Sequence, residues 1–61
     1  MIPKMNQVFK SKSKIQSEFV EYIYKGKITH GNHLLISTSG NEIENIIVDT
    51  KWFDNRLIKL N

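Results

Sequence analysis

From Lys27 onward the apolar positions fall into short runs separated by turn residues. Lys27-Ile28-Thr29-His30, Gly31-Asn32 and His33-Leu34-Leu35-Ile36-Ser37-Thr38 read in succession as a strand, a two-residue loop and a second strand. A loop with Gly first predicts a hairpin closed by a type II′ turn. Ser39-Gly40-Asn41 punctuates the chain again. Glu42–Asp49 begins with polar and apolar residues in alternation and ends in Ile46-Ile47-Val48, the pattern of a strand entering the centre of a sheet. Asp54-Asn55 is a further break, and Arg56-Leu57-Ile58-Lys59-Leu60 supplies a short last strand.

The segment from Ser13 to Gly26 decides the fold class, because it fits two elements. A helix would have Ser13 as N-cap with Gln16 completing a capping box, Ile15, Phe19, Tyr22 and Ile23 along one stripe, and Gly26 just past the end. Against this, Phe19-Val20-Glu21-Tyr22-Ile23-Tyr24 is dominated by β-branched and aromatic residues, whose restricted side chains favour strands. The strand reading predicts a mainly β fold, a small antiparallel meander or SH3-like barrel of four to five strands with a basic N-terminal arm. The helical reading predicts an α+β fold, one helix at about residues 14–25 packed on a three-stranded antiparallel sheet. The mainly β fold is the expectation carried forward.

Length limits what such a chain can do. Its 61 residues hold one small domain, and a chain of this size buries only about 60% of the surface that its unfolded form exposes. With no cysteine there is neither a disulfide framework nor a thiolate metal site to reinforce it. A tightly packed core or self-association has to supply the stability. The longest apolar runs are three residues, far from the roughly 20 that span a bilayer. The expectation is a cytoplasmic protein that does not engage a membrane.

Charge is unevenly placed. Residues 1–14 carry Lys4, Lys10, Lys12 and Lys14 with no acid. Residues 15–61 carry five cations against six acids, so the net +3 of the chain arises entirely in the first segment. This divides the chain into a basic arm or leader, residues 1–14, and a single small domain, residues 15–61, that is slightly acidic.

Candidate chemistry is sparse. His30 and His33 flank the expected turn and would face each other across it, but zinc needs three or four ligands and two imidazoles at a hairpin tip do not make a site. Neither Glu42 with Glu44 nor Glu18 with Glu21 implies the cleft that general acid–base catalysis requires. No Gly-x-Ser-x-Gly elbow, phosphate-binding Gly loop or HExxH pattern occurs. The expectation is a non-enzymatic chain with no metal site and no cofactor.

Lys51-Trp52-Phe53-Asp54-Asn55-Arg56 is the most informative stretch, since it holds the only Trp and the only Arg. Trp and Arg are enriched among the residues that dominate protein interfaces. On an extended chain Trp52 and Phe53 would point opposite ways, one into the core and one towards a partner. Trp52, Phe53 and Arg56 are therefore the candidate protein-binding residues of a small inhibitor or adaptor that occupies a partner's surface and pairs with a second copy as a homodimer. The alternative is a nucleic-acid binder that uses Lys10, Lys12 and Lys14 of the arm together with Tyr22, Tyr24, Lys25 and Lys27, where two tyrosines on one strand face would stack bases.

Overall fold

The computed structural model describes residues 2–38 and 42–60; the expected break at 39–41 lies outside them. In chain order the elements are β1 Val8–Ser13, β2 Val20–Thr29, β3 Asn32–Ser37, β4 Glu44–Asp49, the short helix α1 Thr50–Asp54, and β5 Arg56–Leu60. The strands form one antiparallel sheet in the order β4-β3-β2-β1-β5. The protein is thus mainly β, a meander whose last strand returns through α1 to lie beside the first. No ladder joins β4 to β5 among the described residues, and both remain edges of the sheet.

The strand reading of the ambiguous segment holds, and the helix at about 14–25 does not form. Ser13 and Gln16 do engage each other: the Ser13 N–H donates to Gln16 Oε1 at 2.9 Å, and the Gln16 N–H donates to the Ser13 carbonyl at 3.2 Å. The second bond closes a tight turn in place of a helical start. The chain then enters β2, where Val20, Tyr22 and Tyr24 face inward and Glu21 and Ile23 face out.

Residues 8–13 of the presumed arm are a central strand. β1 pairs with β2 on one side and β5 on the other, with Phe9 and Ser11 fully buried and Lys10 exposed. The Lys-Ser alternation is a period-two pattern with small residues inward, so the boundary drawn at residue 14 falls inside the folded unit. This displaces β4 from the centre of the sheet to an edge, and Ile47 stands 67% exposed on its outer face.

The hairpin turn sits one residue earlier than its sequence pattern predicts. Thr29 pairs with Asn32, which makes His30-Gly31 the loop, and Gly31 takes a φ of +79° as its second residue. Positive φ at the second position belongs to a type II geometry, not the type II′ form with Gly first. Gly26 interrupts β2 at a register shift, with φ +102°, and the Met5 side chain fills the space where a Cβ would stand.

The core is a cluster of Phe9, Tyr22, Tyr24, Leu35, Val48 and Phe53. Phe53, from α1, meets the rings of Phe9, Tyr24, His33 and Trp52 at centroid distances of 6.3, 6.2, 5.3 and 5.1 Å. Asp49 starts the helix by accepting the Trp52 N–H on Oδ1 at 3.0 Å, which satisfies one of the otherwise unpaired donors of the first turn.

Phe53→Ala is expected to cost about 3–5 kcal/mol. A chain of this length holds roughly 3–9 kcal/mol in total, so the variant should be substantially unfolded in urea titrations where the parent is folded. Gly26→Ala should lower stability by more than about 1 kcal/mol, because its backbone conformation is strained for Ala and the methyl would strike Met5. An unchanged urea midpoint would show that the bulge tolerates a side chain.

Candidate functional site

Trp52, Phe53 and Arg56 come together around α1, with different roles. The extended-chain argument that separates Trp52 from Phe53 does not apply, since both lie on one turn of helix and both turn towards the sheet. Phe53 is 2% exposed and belongs to the core, so a partner cannot reach it in the folded protein. Trp52 is half-buried, set edge-on to Tyr22 at 5.4 Å and to Phe9 at 6.4 Å. The Arg56 guanidinium lies over the indole, 4.3 Å from its centroid. One edge of the indole is held by the core while its face carries a cation, an arrangement worth about 0.5–1 kcal/mol at an exposed site and more where water is excluded.

Beneath this surface is a buried polar chain. Tyr24 and His33 are both buried, and the phenol and His33 Nδ1 are 2.7 Å apart. His33 Nε2 lies 3.3 Å from Thr50 Oγ1, in the first turn of α1. The Tyr24 hydroxyl, the two ring nitrogens of His33 and the Thr50 hydroxyl thus form one hydrogen-bonded chain, whose donor and acceptor roles follow the imidazole tautomer. Burial pushes the Tyr24 phenol above the ordinary tyrosine pKa. His33 therefore ties β2 and β3 to α1 instead of facing His30, which is exposed in the turn. Among the described residues no group of three or more His, Cys, Asp or Glu side chains could hold a metal ion.

The residues of the nucleic-acid alternative do not form one surface. Tyr22 and Tyr24 share a face as expected, but that face is the core and they are 7% and 6% exposed. They cannot stack bases. Lys25 and Lys27 are exposed on β2 at and beyond the bulge, where Lys25 Nζ donates to Asn6 Oδ1 at 2.7 Å. Lys14 is exposed in the turn after β1. Lys10 and Lys12 lie on the outer face of β1, and Lys10 pairs directly with Lys59 of β5.

Phe19 and Lys59 join this outer face, which sequence reasoning missed. The ammonium groups of Lys12 and Lys59 lie 5.1 and 5.2 Å from the centroid of the Phe19 ring. The Lys-Ser alternation was the available signal, since a period of two places Lys10 and Lys12 together once the segment is a strand. Three further features bear on the site's surroundings. No pocket is present among the described residues, and no helix is long and apolar enough to cross a membrane. Ser11 Oγ is buried without a hydrogen-bond partner among the described residues.

Tyr24→Phe removes the partner of His33 Nδ1 and should cost about 1–3 kcal/mol. Because the folded state holds the phenol's proton more tightly than the unfolded chain does, stability should be intact below the unfolded tyrosine pKa and fall as pH rises through the folded value. The Phe variant should lack that alkaline decline; a decline of equal size in both proteins would remove Tyr24 as its source. Ser11→Ala should be neutral or stabilising by about 1 kcal/mol, since it removes an unpaired hydroxyl. Compared with protein-family models, with curated proteins and with solved structures, the chain matches none.

Proposed function

We propose that this chain is a non-enzymatic, cytoplasmic protein-binding module, a small inhibitor or adaptor, whose partner docks on the Trp52–Arg56 surface. The observation that carries this reading is the stack of Arg56 on Trp52 at 4.3 Å. It combines a flat apolar face with a guanidinium rich in hydrogen-bond donors, the two side-chain types that most often anchor interfaces. The indole is braced from behind by Phe9, Tyr22 and Phe53, so little side-chain freedom remains to be lost on binding.

A second reading has its own observation. Lys10, Lys12 and Lys59 share one outer face, where the ammonium groups of Lys12 and Lys59 flank the Phe19 ring and Lys10 stands between Lys59 on one side and Glu21 on the other. The basic residues thus lie on the folded unit itself, as binding to a nucleic-acid backbone requires. Under this reading the aromatic contact comes from Phe19.

Affinity capture from nuclease-treated and untreated extract, with the full chain as bait, separates the two. Arg56→Ala should weaken capture of the docking partner by roughly 30-fold, equivalent to about 2 kcal/mol, with the fold retained by circular dichroism. Unchanged capture by the folded variant would remove this surface as the site. For the second reading, binding to a single-stranded oligonucleotide should weaken with salt, with a log–log slope of about −0.7 per phosphate contacted, and Lys10→Ala with Lys12→Ala should make that slope shallower. Salt-independent or absent binding would end it.

A further inference from the structure

Among the described residues the free side of β5 has no paired strand, and its surroundings are cationic. β5 carries Arg56 and Lys59, and its neighbour β1 carries Lys10 and Lys12, with no acid on either strand. The opposite edge, β4, carries Glu44 and Asp49 and no cation. β5 contains no proline and pairs with β1 without a register shift, so its outward N–H and C=O groups form an uninterrupted row. Such a row is a template for another extended chain, and a peptide backbone supplies the alternating donors and acceptors that match it. Leu57 and Leu60 add apolar surface at 54% and 41% exposure. A nucleic-acid backbone would satisfy the cations and leave both the strand edge and the leucines unmatched.

We propose that the partner of the Trp52–Arg56 surface is an acidic, extended peptide segment that adds to the free edge of β5 as a further strand, a proposal that rests on the docking reading and gives the partner its chemistry. The alternation of β5 dictates the pattern recognised. Arg56 faces the inner side with Ser13, its cross-strand neighbour, and Lys59 faces the outer side with Lys10. An added strand alternates in the same way, so a carboxylate opposite Arg56 points inward and one opposite Lys59 points outward. Between them two apolar residues lie opposite Leu57 and Ile58, one on each side. The matching segment thus reads acidic, apolar, apolar, acidic. Stacking on the indole occupies the face of the Arg56 guanidinium and leaves its in-plane N–H groups to the first carboxylate. Lys59 reaches the second by leaving Phe19, whose ring centroid lies 5.2 Å from its ammonium. The acids of β4 disfavour the same segment at the other edge.

A capped synthetic peptide with the core Glu-Val-Val-Glu between threonines tests this on the full chain, since that core reads the same in both directions. In backbone NMR of the chain, the amides of β5 should shift as peptide is added while those of β4 stay in place. A peptide with Lys-Val-Val-Lys in the same frame should not bind. N-methylation of alternate residues, made in both phases, should abolish binding in the phase whose N–H groups face β5, although charge and side chains are kept. Arg56→Ala, folded by circular dichroism, should bind the peptide about 10-fold more weakly. A peptide that does not bind, binding that survives methylation in both phases, or β5 shifts produced by a single-stranded oligonucleotide or by the chain's own concentration in place of the peptide would overturn the proposal. Docking and strand addition fail separately. If Arg56→Ala loses its partner from extract while the peptide does not bind the parent, docking stands and strand addition falls; if Arg56→Ala weakens neither, both fall.

Discussion

Six residues, Thr50 to Asn55, must carry the chain from one edge of a five-stranded sheet to the other. Laid flat, the four gaps between neighbouring strands would separate those edges by about 19 Å. One short helix of five residues rises only about 7.5 Å along its axis. The sheet therefore has to curl around α1, and the inner faces of the strands turn towards a common axis. Side chains for this interior must be large, because a small sheet wrapped on one helical turn leaves a space that few residues have to fill. Phe9, Tyr22, Tyr24, Trp52 and Phe53 fill it with rings in mutual contact.

The same crossing explains why polar groups are buried. His33 bonds Tyr24 and Thr50, so the imidazole couples two adjacent strands to the start of the helix. An apolar residue there would pack, but it would leave the Tyr24 phenol unpaired. Asp49 serves the crossing from outside by capping the helix at the point where β4 ends. Function in the proposed sense rests on this arrangement, because the turn that drives Phe53 inward also sets Trp52 half outside, within reach of Arg56 at the start of β5.

The sheet was legible in the sequence wherever apolar runs were bounded by Gly, Asn or Asp, as in β3, β4 and β5. It was less legible where charge concealed periodicity. Lys10-Ser11-Lys12-Ser13 looks like a solvated arm by composition, yet the serines lie inward beside Val20, Ile58 and Arg56 at positions with no need for bulk. Only the topology shows that β1 is flanked on both sides. Residue type singled out Trp52 and Arg56, but their stacking was not readable, because it depends on a helical turn where the pattern suggested extended chain. Asp49-Thr50 was a capping signal for that turn. The role of Phe19 depended on contacts between residues distant in sequence, Lys12 and Lys59, which no local pattern encodes.

Trp52 is the chain's one tryptophan, and its position gives it an optical role. The indole is part of the core on one side, open to water on another, and covered by a guanidinium on its face. All indole emission from the protein originates at the junction of helix, core and surface. Detachment of α1 from the sheet exposes the indole and moves its emission to the red, whereas a molecule laid over Arg56 dries it and moves the emission to the blue. The two events that matter most to this small fold, coming apart and being covered, thus report through one chromophore with opposite sign.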